Sequence, residues 1–114
     1  MLARSLSPVA VLVLSSLAEA PRHGYSLKKD VKDRSGGDVS PGATSLYRTV
    51  WQLLDLGLIA ECRERPAPEH DDSRRRYFQI TTTGRRTLAA ELSRLERLVV
   101  AARPRRYASS KSRP

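Results

Sequence analysis

Apolar residues recur with helical spacing in four segments of the chain, and two short strand-like runs separate the third segment from the fourth. In the first segment, residues 8–18, apolar side chains occupy nearly every side, which predicts a helix buried against more than one neighbour. Ser7 and Pro8 suit the N-cap and first turn of that helix. The second segment, residues 23–34, has apolar residues four apart and predicts a shorter amphipathic helix that Gly36 and Gly37 end.

The third segment, residues 40–57, is the most clearly two-sided part of the sequence. At about 100° per residue, Leu46, Val50 and Leu53 fall within a narrow arc, which predicts that they pack in the core. Ser40 is the predicted N-cap, and a helix beginning there would leave backbone N–H groups free for a phosphate. The opposite arc is polar, and its residues are Thr44, Ser45, Arg48, Thr49 and Gln52. One side of this predicted helix is therefore available for a ligand.

A β-hairpin is predicted between the third and fourth helical segments. Residues 58–64 and 75–80 are strand-like, and the ten residues between them contain two prolines and almost no apolar side chain. The intervening segment is therefore predicted to be a solvated tip. Arg74, Arg75 and Arg76 place three guanidinium groups at its base.

The last segment predicts a long helix with an apolar face that needs a partner. Thr81 is its predicted N-cap, and its body is residues 82–103. Two heptads are too short to hold a coiled coil alone, so the partner surface is expected to include the first helix at Leu12. Residues 104–114 are basic and predict a disordered tail. Four apolar residues have the alternating spacing of four and three that is typical of a helix–helix seam: Leu88, Leu92, Leu95 and Val99.

Composition and charge narrow the class of protein. The chain of 114 residues has 21 Lys+Arg against 12 Asp+Glu, and residues 58–114 hold fourteen of the basic and seven of the acidic side chains. This excess of positive charge creates an electrostatic field that attracts polyanions, either nucleic acid or an anionic membrane surface. One domain of this size would gain from a subunit interface. A single cysteine excludes an internal disulfide, and no apolar run approaches a membrane span, so we expect a soluble, cytoplasmic protein.

Residues 1–20 also have features of a secretory signal, with Arg4 near the start and an A-x-A-like end. The Ser7–Pro8 helix start, and the serines that interrupt the apolar run, favour a folded helix instead. The alternative is a secreted cationic polypeptide cleaved after Ala20, and the mass of the native chain distinguishes the two.

The order of three helices, a hairpin and a final helix is that of a winged helix-turn-helix, in which the third helix enters the major groove of DNA. We therefore predict a mainly α fold with a two-stranded β-wing over residues 1–81, then a dimerisation helix over residues 82–103. Base edges and phosphates are bound by short polar and cationic side chains, which the third segment provides. The alternative is a winged-helix module that binds RNA or protein without operator specificity, and a comparison of duplex DNA with structured RNA separates these functions.

Four segments in the same order carry a resemblance to the PadR family of transcriptional regulators: HGYSL at 23–27, SPGATSLY at 40–47, LGLI at 56–59 and RRYFQIT at 75–81. The resemblance covers about residues 5–100, and the length is similar to that of a short subfamily with one C-terminal helix. It implies a dimeric repressor or activator that binds palindromic double-stranded DNA and often releases it when a small hydrophobic effector binds near the dimer interface. Of these two roles we expect a homodimeric repressor. Neither an enzymatic activity nor a cofactor is expected.

The resemblance also implies that Tyr25 and Tyr47 lie close to DNA and that Arg75 and Arg76 belong to the basic strand of the wing. Trp51 departs from the family, which commonly has a polar or cationic residue there, so its role stays open. The expected DNA-binding residues are Tyr25, Ser40, Thr44, Ser45, Tyr47, Arg48, Gln52, Arg74, Arg75 and Arg76. The expected dimer interface comprises Leu12, Leu88, Leu92, Leu95 and Val99.

Several of these residues have structural alternatives. Tyr25 is equally compatible with packing between helices. The alternative for the leucine seam is packing inside one subunit, but we expect the core of a winged helix to be complete without it. Cys62 has the character of a small buried hydrophobe. His23 and His70 lie in separate loops, so no metal site is expected, and no Ser, His and Asp set suggests catalysis.

Overall fold

The computed structural model describes residues 6–62 and 76–105. An antiparallel sheet in the order β1-β3-β2 packs with the helices, and β2 and β3 form the predicted hairpin, here called the wing. The predicted mainly α fold with a wing is confirmed. The elements are α1 (Pro8–Glu19), β1 (Arg22–His23), α2 (Gly24–Arg34), α3 (Ala43–Asp55), β2 (Ile59–Cys62), β3 (Tyr77–Ile80) and α4 (Thr82–Ala102).

The sheet has a strand that the sequence did not predict. β1 is only two residues long, and it pairs with β3 through Arg22 opposite Phe78 and His23 opposite Tyr77. Two residues are too few to show the alternation of apolar and polar side chains by which strands are recognised. The predicted strand ends at residues 63–64 and 75, and the predicted tip, lie outside the described residues.

Helix α1 is at the centre of the core. It contacts α2, α3, α4 and β3, and its Val13 and Leu14 are fully buried. Because it is covered on several sides, its sequence is apolar nearly all round, as predicted. The predicted N-cap is also confirmed, since the Ala10 N–H donates to the Ser7 side-chain oxygen at 3.1 Å. Phe78 of β3, also fully buried, packs into the same cluster.

Helix α3 begins two residues later than predicted. Gly42 is its N-cap, and no side chain accepts a hydrogen bond from the first turn, so the assignment of Ser40 as N-cap was wrong. The backbone of Gly42 is extended, and leaving this poor helix former outside the helix avoids the entropic cost of fixing it there. The helix ends before Gly57, whose φ of 74° is the left-handed conformation that favours glycine.

The two faces of α3 are arranged largely as predicted. Leu46, Val50 and Leu53 are buried in the core. Thr49 was placed on the polar face, but it is only 9% exposed and its hydroxyl donates to the Ser45 carbonyl at 3.2 Å. Around the helix axis, Thr49 lies next to the arc of core residues. A side chain as small as that of threonine is covered there by its neighbours.

Helix α4 is fixed to the sheet at its start and exposed at its end. The Gly84 N–H donates to the Thr81 hydroxyl oxygen at 3.0 Å, which confirms the predicted N-cap, and the hydroxyl donates to the Gly57 carbonyl at 2.7 Å. Gly84 is buried so closely against β2 that a Cβ there would overlap the Leu58 carbonyl oxygen. By contrast, residues 96–105 are all exposed. Within the described part of the chain, no helix is both long and apolar enough to cross a membrane.

Candidate nucleic-acid interface

The outward face of α3 gathers most of the residues that the sequence singled out on this helix. Thr44, Tyr47, Arg48 and Gln52 line one shallow surface, together with Trp51 and Asp55. Ser45 is exposed on the flank of the same helix. This surface offers hydroxyl, amide and guanidinium groups side by side, which are the groups that hydrogen-bond to base edges and phosphates.

Arg48 has no acidic partner among the described residues. Arg22, Arg34 and Arg76 each pair with a carboxylate, whereas Arg48 is exposed and forms no ion pair or hydrogen bond with any residue that the structure describes. Its five donors therefore remain available to a ligand at the middle of the outward face.

Helix α2 contributes a cationic surface beside that face. Tyr25 is 70% exposed, which argues against its alternative role as a packing aromatic between helices. Ser40 lies in the same shallow groove, although it stands in the loop before α3 and not at a helix start. The rest of the groove is mostly cationic and is lined by Lys28, Lys29, Lys32 and Asp33.

The three lysines were missed as candidate site residues. The sequence shows only that they lie off the apolar side of α2, which is true of any solvated helix surface. Their recurrence on the side of the helix that carries Tyr25 was the available signal. Their convergence with Ser40 depends on the loop between α2 and α3, in which the Val39 N–H donates to the Ser35 hydroxyl oxygen at 2.9 Å.

Tyr47 joins α3 to the start of α2. Its hydroxyl packs so closely on Gly24 that a Cβ at that position would overlap it. Its ring also lies 6.3 Å from the Trp51 ring, centroid to centroid. Both aromatics lie at the margin of the core, and each is partly exposed.

Arg76 is bound on two sides. Its Nε and Nη2 donate to the two carboxylate oxygens of Glu61 at 2.8 and 2.9 Å, and its Cζ lies 4.9 Å from the centroid of the Trp51 ring. The Glu61 carboxylate raises the pKa of the guanidinium above its usual value. Arg74 and Arg75 lie outside the described residues, so Arg76 is the one member of the predicted basic cluster whose surroundings can be described.

The predicted dimer residues separate into two groups. Leu92, Leu95 and Val99 line a shallow apolar groove along the outer half of α4, which Val100 extends. Leu88 is only 7% exposed and belongs to the core of its own chain, so the expectation that the core is complete without the seam was wrong at this position.

Leu12 of α1 is half-buried against the core. Cys62 is buried, in keeping with the character of a small hydrophobe.

Both the sequence and the fold of this chain are similar to those of known proteins. The model of the transcriptional regulator PadR-like family matches residues 13–90. An uncharacterized 37.1 kDa protein in transposon TN4556 of Streptomyces fradiae is 33% identical over 88 residues, which are 77% of this chain. The chain spans only 23% of the length of that relative.

Solved structures share the fold. A PadR family transcriptional regulator from Eggerthella lenta superposes with a TM-score of 0.66 at 29% identity, over 82% of this chain and 76% of that one. Bacillus subtilis PadR in complex with operator DNA superposes with a TM-score of 0.59 at 19% identity, over 74% of this chain and 46% of that one. The family match covers more than half of the sequence and includes α2, α3 and the wing, and the chain therefore belongs to the PadR-like family of transcriptional regulators.

Proposed function

We propose that this chain is a transcriptional repressor that binds a palindromic DNA operator as a homodimer. The observation that carries the proposal is the outward face of α3, where Arg48, which has no partner among the described residues, lies beside exposed hydroxyl and amide side chains. Such a helix fits the major groove, and a guanidinium can donate two hydrogen bonds to one guanine. Thr44 and Gln52 would contact neighbouring bases.

Helix α2 would hold the DNA backbone. Its exposed lysines and Tyr25 line one groove on a helix that contacts α3, and a helix that crosses the DNA backbone needs such donors. Among structures of similar fold, Bacillus subtilis PadR is bound to operator DNA, which supports a DNA ligand over an RNA ligand. The protein would act in the cytoplasm, where operator DNA is found.

The outer half of α4 would pair with a second copy of the chain. Its apolar groove is rimmed by Glu96 and Arg103, so two antiparallel copies could bury apolar side chains and align opposite charges at the edge. A two-fold axis would present two α3 helices to two half-sites, which is why a palindrome is expected. A small hydrophobic effector bound at this interface would change the spacing of the half-sites and release the DNA.

Selection of duplexes from a random DNA pool by the purified full chain tests the proposal. We expect an enriched palindrome whose half-sites are about one helical turn apart, bound with a slope of log affinity on log salt several units negative. Structured RNA of equal length serves as competitor. Enrichment of no sequence, or equal affinity for the RNA, would contradict operator recognition.

A further inference from the structure

We infer that Arg76 is a positioning residue that fixes the wing against the recognition helix through Trp51, and not a ligand of DNA phosphates. The inference rests on the proposed DNA-binding function and adds a residue that determines specificity indirectly. The strand register of the sheet decides which side of the wing faces α3.

The inner face of the wing changes character along its length. Directly opposed residues of antiparallel strands point to the same side, and Ile59 opposes Ile80 while Glu61 opposes Phe78. Ile59, Phe78 and Ile80 are buried in the core. Arg76 precedes Phe78 by two residues and so shares that side of β3. Beyond the buried residues, the same face of the wing therefore carries the Glu61–Arg76 ion pair.

Trp51 is the surface on which this pair rests. Its ring is 42% exposed, and the guanidinium of Arg76 covers it at a distance typical of a cation–π contact. The planar guanidinium can stack on the indole while it donates two parallel hydrogen bonds to Glu61, a combination that lysine cannot reproduce. Glu61 orients the guanidinium through two hydrogen bonds, and the Trp51 ring lies beneath it.

These contacts form a continuous row across three elements. Gly24 at the start of α2 touches the Tyr47 hydroxyl, Tyr47 approaches Trp51, and Trp51 lies under Arg76 of the wing. The row therefore sets the angle between the recognition helix and the wing. Because Glu61 neutralises the charge of Arg76, the pair adds little to the positive field that attracts DNA. Arg48, by contrast, has no carboxylate partner in the part of the chain that the structure describes.

The test compares four variants of the full chain: Arg76→Ala, Arg76→Lys, Glu61→Gln and, as a control, Lys28→Ala. Each is titrated with the selected palindrome and with a random duplex over a range of salt concentration. We expect Arg76→Ala to lower the preference for the palindrome about fivefold, the size of one exposed cation–π contact plus one exposed ion pair. Arg76→Lys and Glu61→Gln each weaken only part of this arrangement and should lower the preference in the same direction by a smaller factor. Arg76→Ala leaves the salt slope unchanged, whereas Lys28→Ala reduces it by about 0.9.

Tryptophan fluorescence provides a readout without DNA. Trp51 is the single tryptophan of the chain, so its emission and its quenching by acrylamide report directly on the solvent exposure of the indole ring. The three wing variants should shift the emission to longer wavelength and increase quenching, and Lys28→Ala should do neither.

A phosphate-binding Arg76 would give a different pattern. Arg76→Ala would then reduce the salt slope by about 0.9, Arg76→Lys would behave as the wild type, and the emission would not change. That result overturns the inference. If no duplex is bound with a negative salt slope, the proposed function fails, and the fluorescence experiment still decides whether Arg76 fixes the wing.

Discussion

Helices α3 and α4 both leave one face uncovered, and the two faces differ in chemistry. The outward face of α3 is polar and cationic, with Arg48 unpaired among the described residues. The outer half of α4 exposes Leu92, Val99 and Val100. Burying the first face would leave charged and hydrogen-bonding groups without partners, which is unfavourable. Burying the second face would remove apolar surface from water, which is favourable.

The difference assigns the two faces to different partners. A polar and cationic face suits a ligand that supplies acceptors and negative charge, as DNA does. An exposed apolar groove on a helix that projects beyond its own core suits a second copy of that helix. Recognition and assembly are thus separated along the chain, and substitutions at each face should have separable effects.

The largest effect is expected from a charge placed in the α4 groove. Val99→Asp would bury an uncompensated carboxylate in each copy, at a cost of about 3–5 kcal/mol, and should dissociate the homodimer at micromolar concentration. Loss of the second half-site would then greatly weaken operator binding. Sedimentation equilibrium measures the first effect, and titration of the selected duplex measures the second.

Ala101→Asp is the matched control, because Ala101 is exposed on the opposite side of α4 from Val99. It should leave the dimer intact. A Val99→Asp protein that remains dimeric would assign the interface elsewhere.

A smaller effect is expected where α4 is anchored. Gly→Ala in an exposed helix stabilises by about 1 kcal/mol, but a Cβ at Gly84 would overlap the Leu58 carbonyl oxygen. Gly84→Ala should therefore lower the free energy of unfolding by about 2–3 kcal/mol, the cost of overpacking against a backbone atom that cannot move aside.

Urea denaturation of the two variants Gly84→Ala and Ser93→Ala checks this anchor. Ser93 is exposed in the same helix, so its substitution should be neutral or slightly stabilising. Stabilisation by both substitutions would show that α4 is not held against β2.

On the α3 face, Arg48→Ala should reduce discrimination between the selected palindrome and random DNA by about 1–3 kcal/mol, the value of one bidentate contact with a base. Lys28→Ala should weaken both duplexes alike, because a lysine on the phosphate backbone carries no sequence information. Competition titrations at one salt concentration measure both variants. An equal loss on both duplexes for Arg48→Ala would place Arg48 on the backbone as well.

The smallest effect concerns Glu91, at the boundary between the buried and exposed halves of α4. The hydrogen bond from Arg94 holds the pKa of the buried Glu91 carboxyl below its usual value. A lowered folded-state pKa stabilises the protein above the unfolded pKa of about 4.3, and that stability is lost as pH falls through the folded value.

Glu91→Gln should therefore show a flatter dependence of unfolding free energy on pH below about 4.5 than the wild type. Denaturation at successive pH values measures the two curves. Parallel curves would remove Glu91 from the pH dependence.

Much of the fold was predictable because its signals are local. The spacing of Leu46, Val50 and Leu53 identifies the core side of α3, and Ser7 and Thr81 identify two helix starts from the chemistry of single residues. The wrong assignment of Ser40 as an N-cap also rested on the chemistry of a single residue. Ser40 has the side chain of a cap, but the extended Gly42 follows it and caps the helix instead.

The site was less predictable because its contacts join distant parts of the chain. Arg76 was grouped with its neighbours in sequence as a basic cluster, yet its partners are Glu61 and Trp51. Leu88 has the spacing of the seam but is covered by its own core. The spacing of apolar residues along the sequence does not show which of them contacts another helix or strand.

The most direct test of the central claim is to map amide chemical shifts of the full chain as the selected duplex is added. The account predicts that the largest changes lie along α3, at Thr44, Arg48 and Gln52, with a second group at Tyr25 and Lys28 on α2. Changes confined to α4, with the amides of α3 unmoved at saturation, would contradict it.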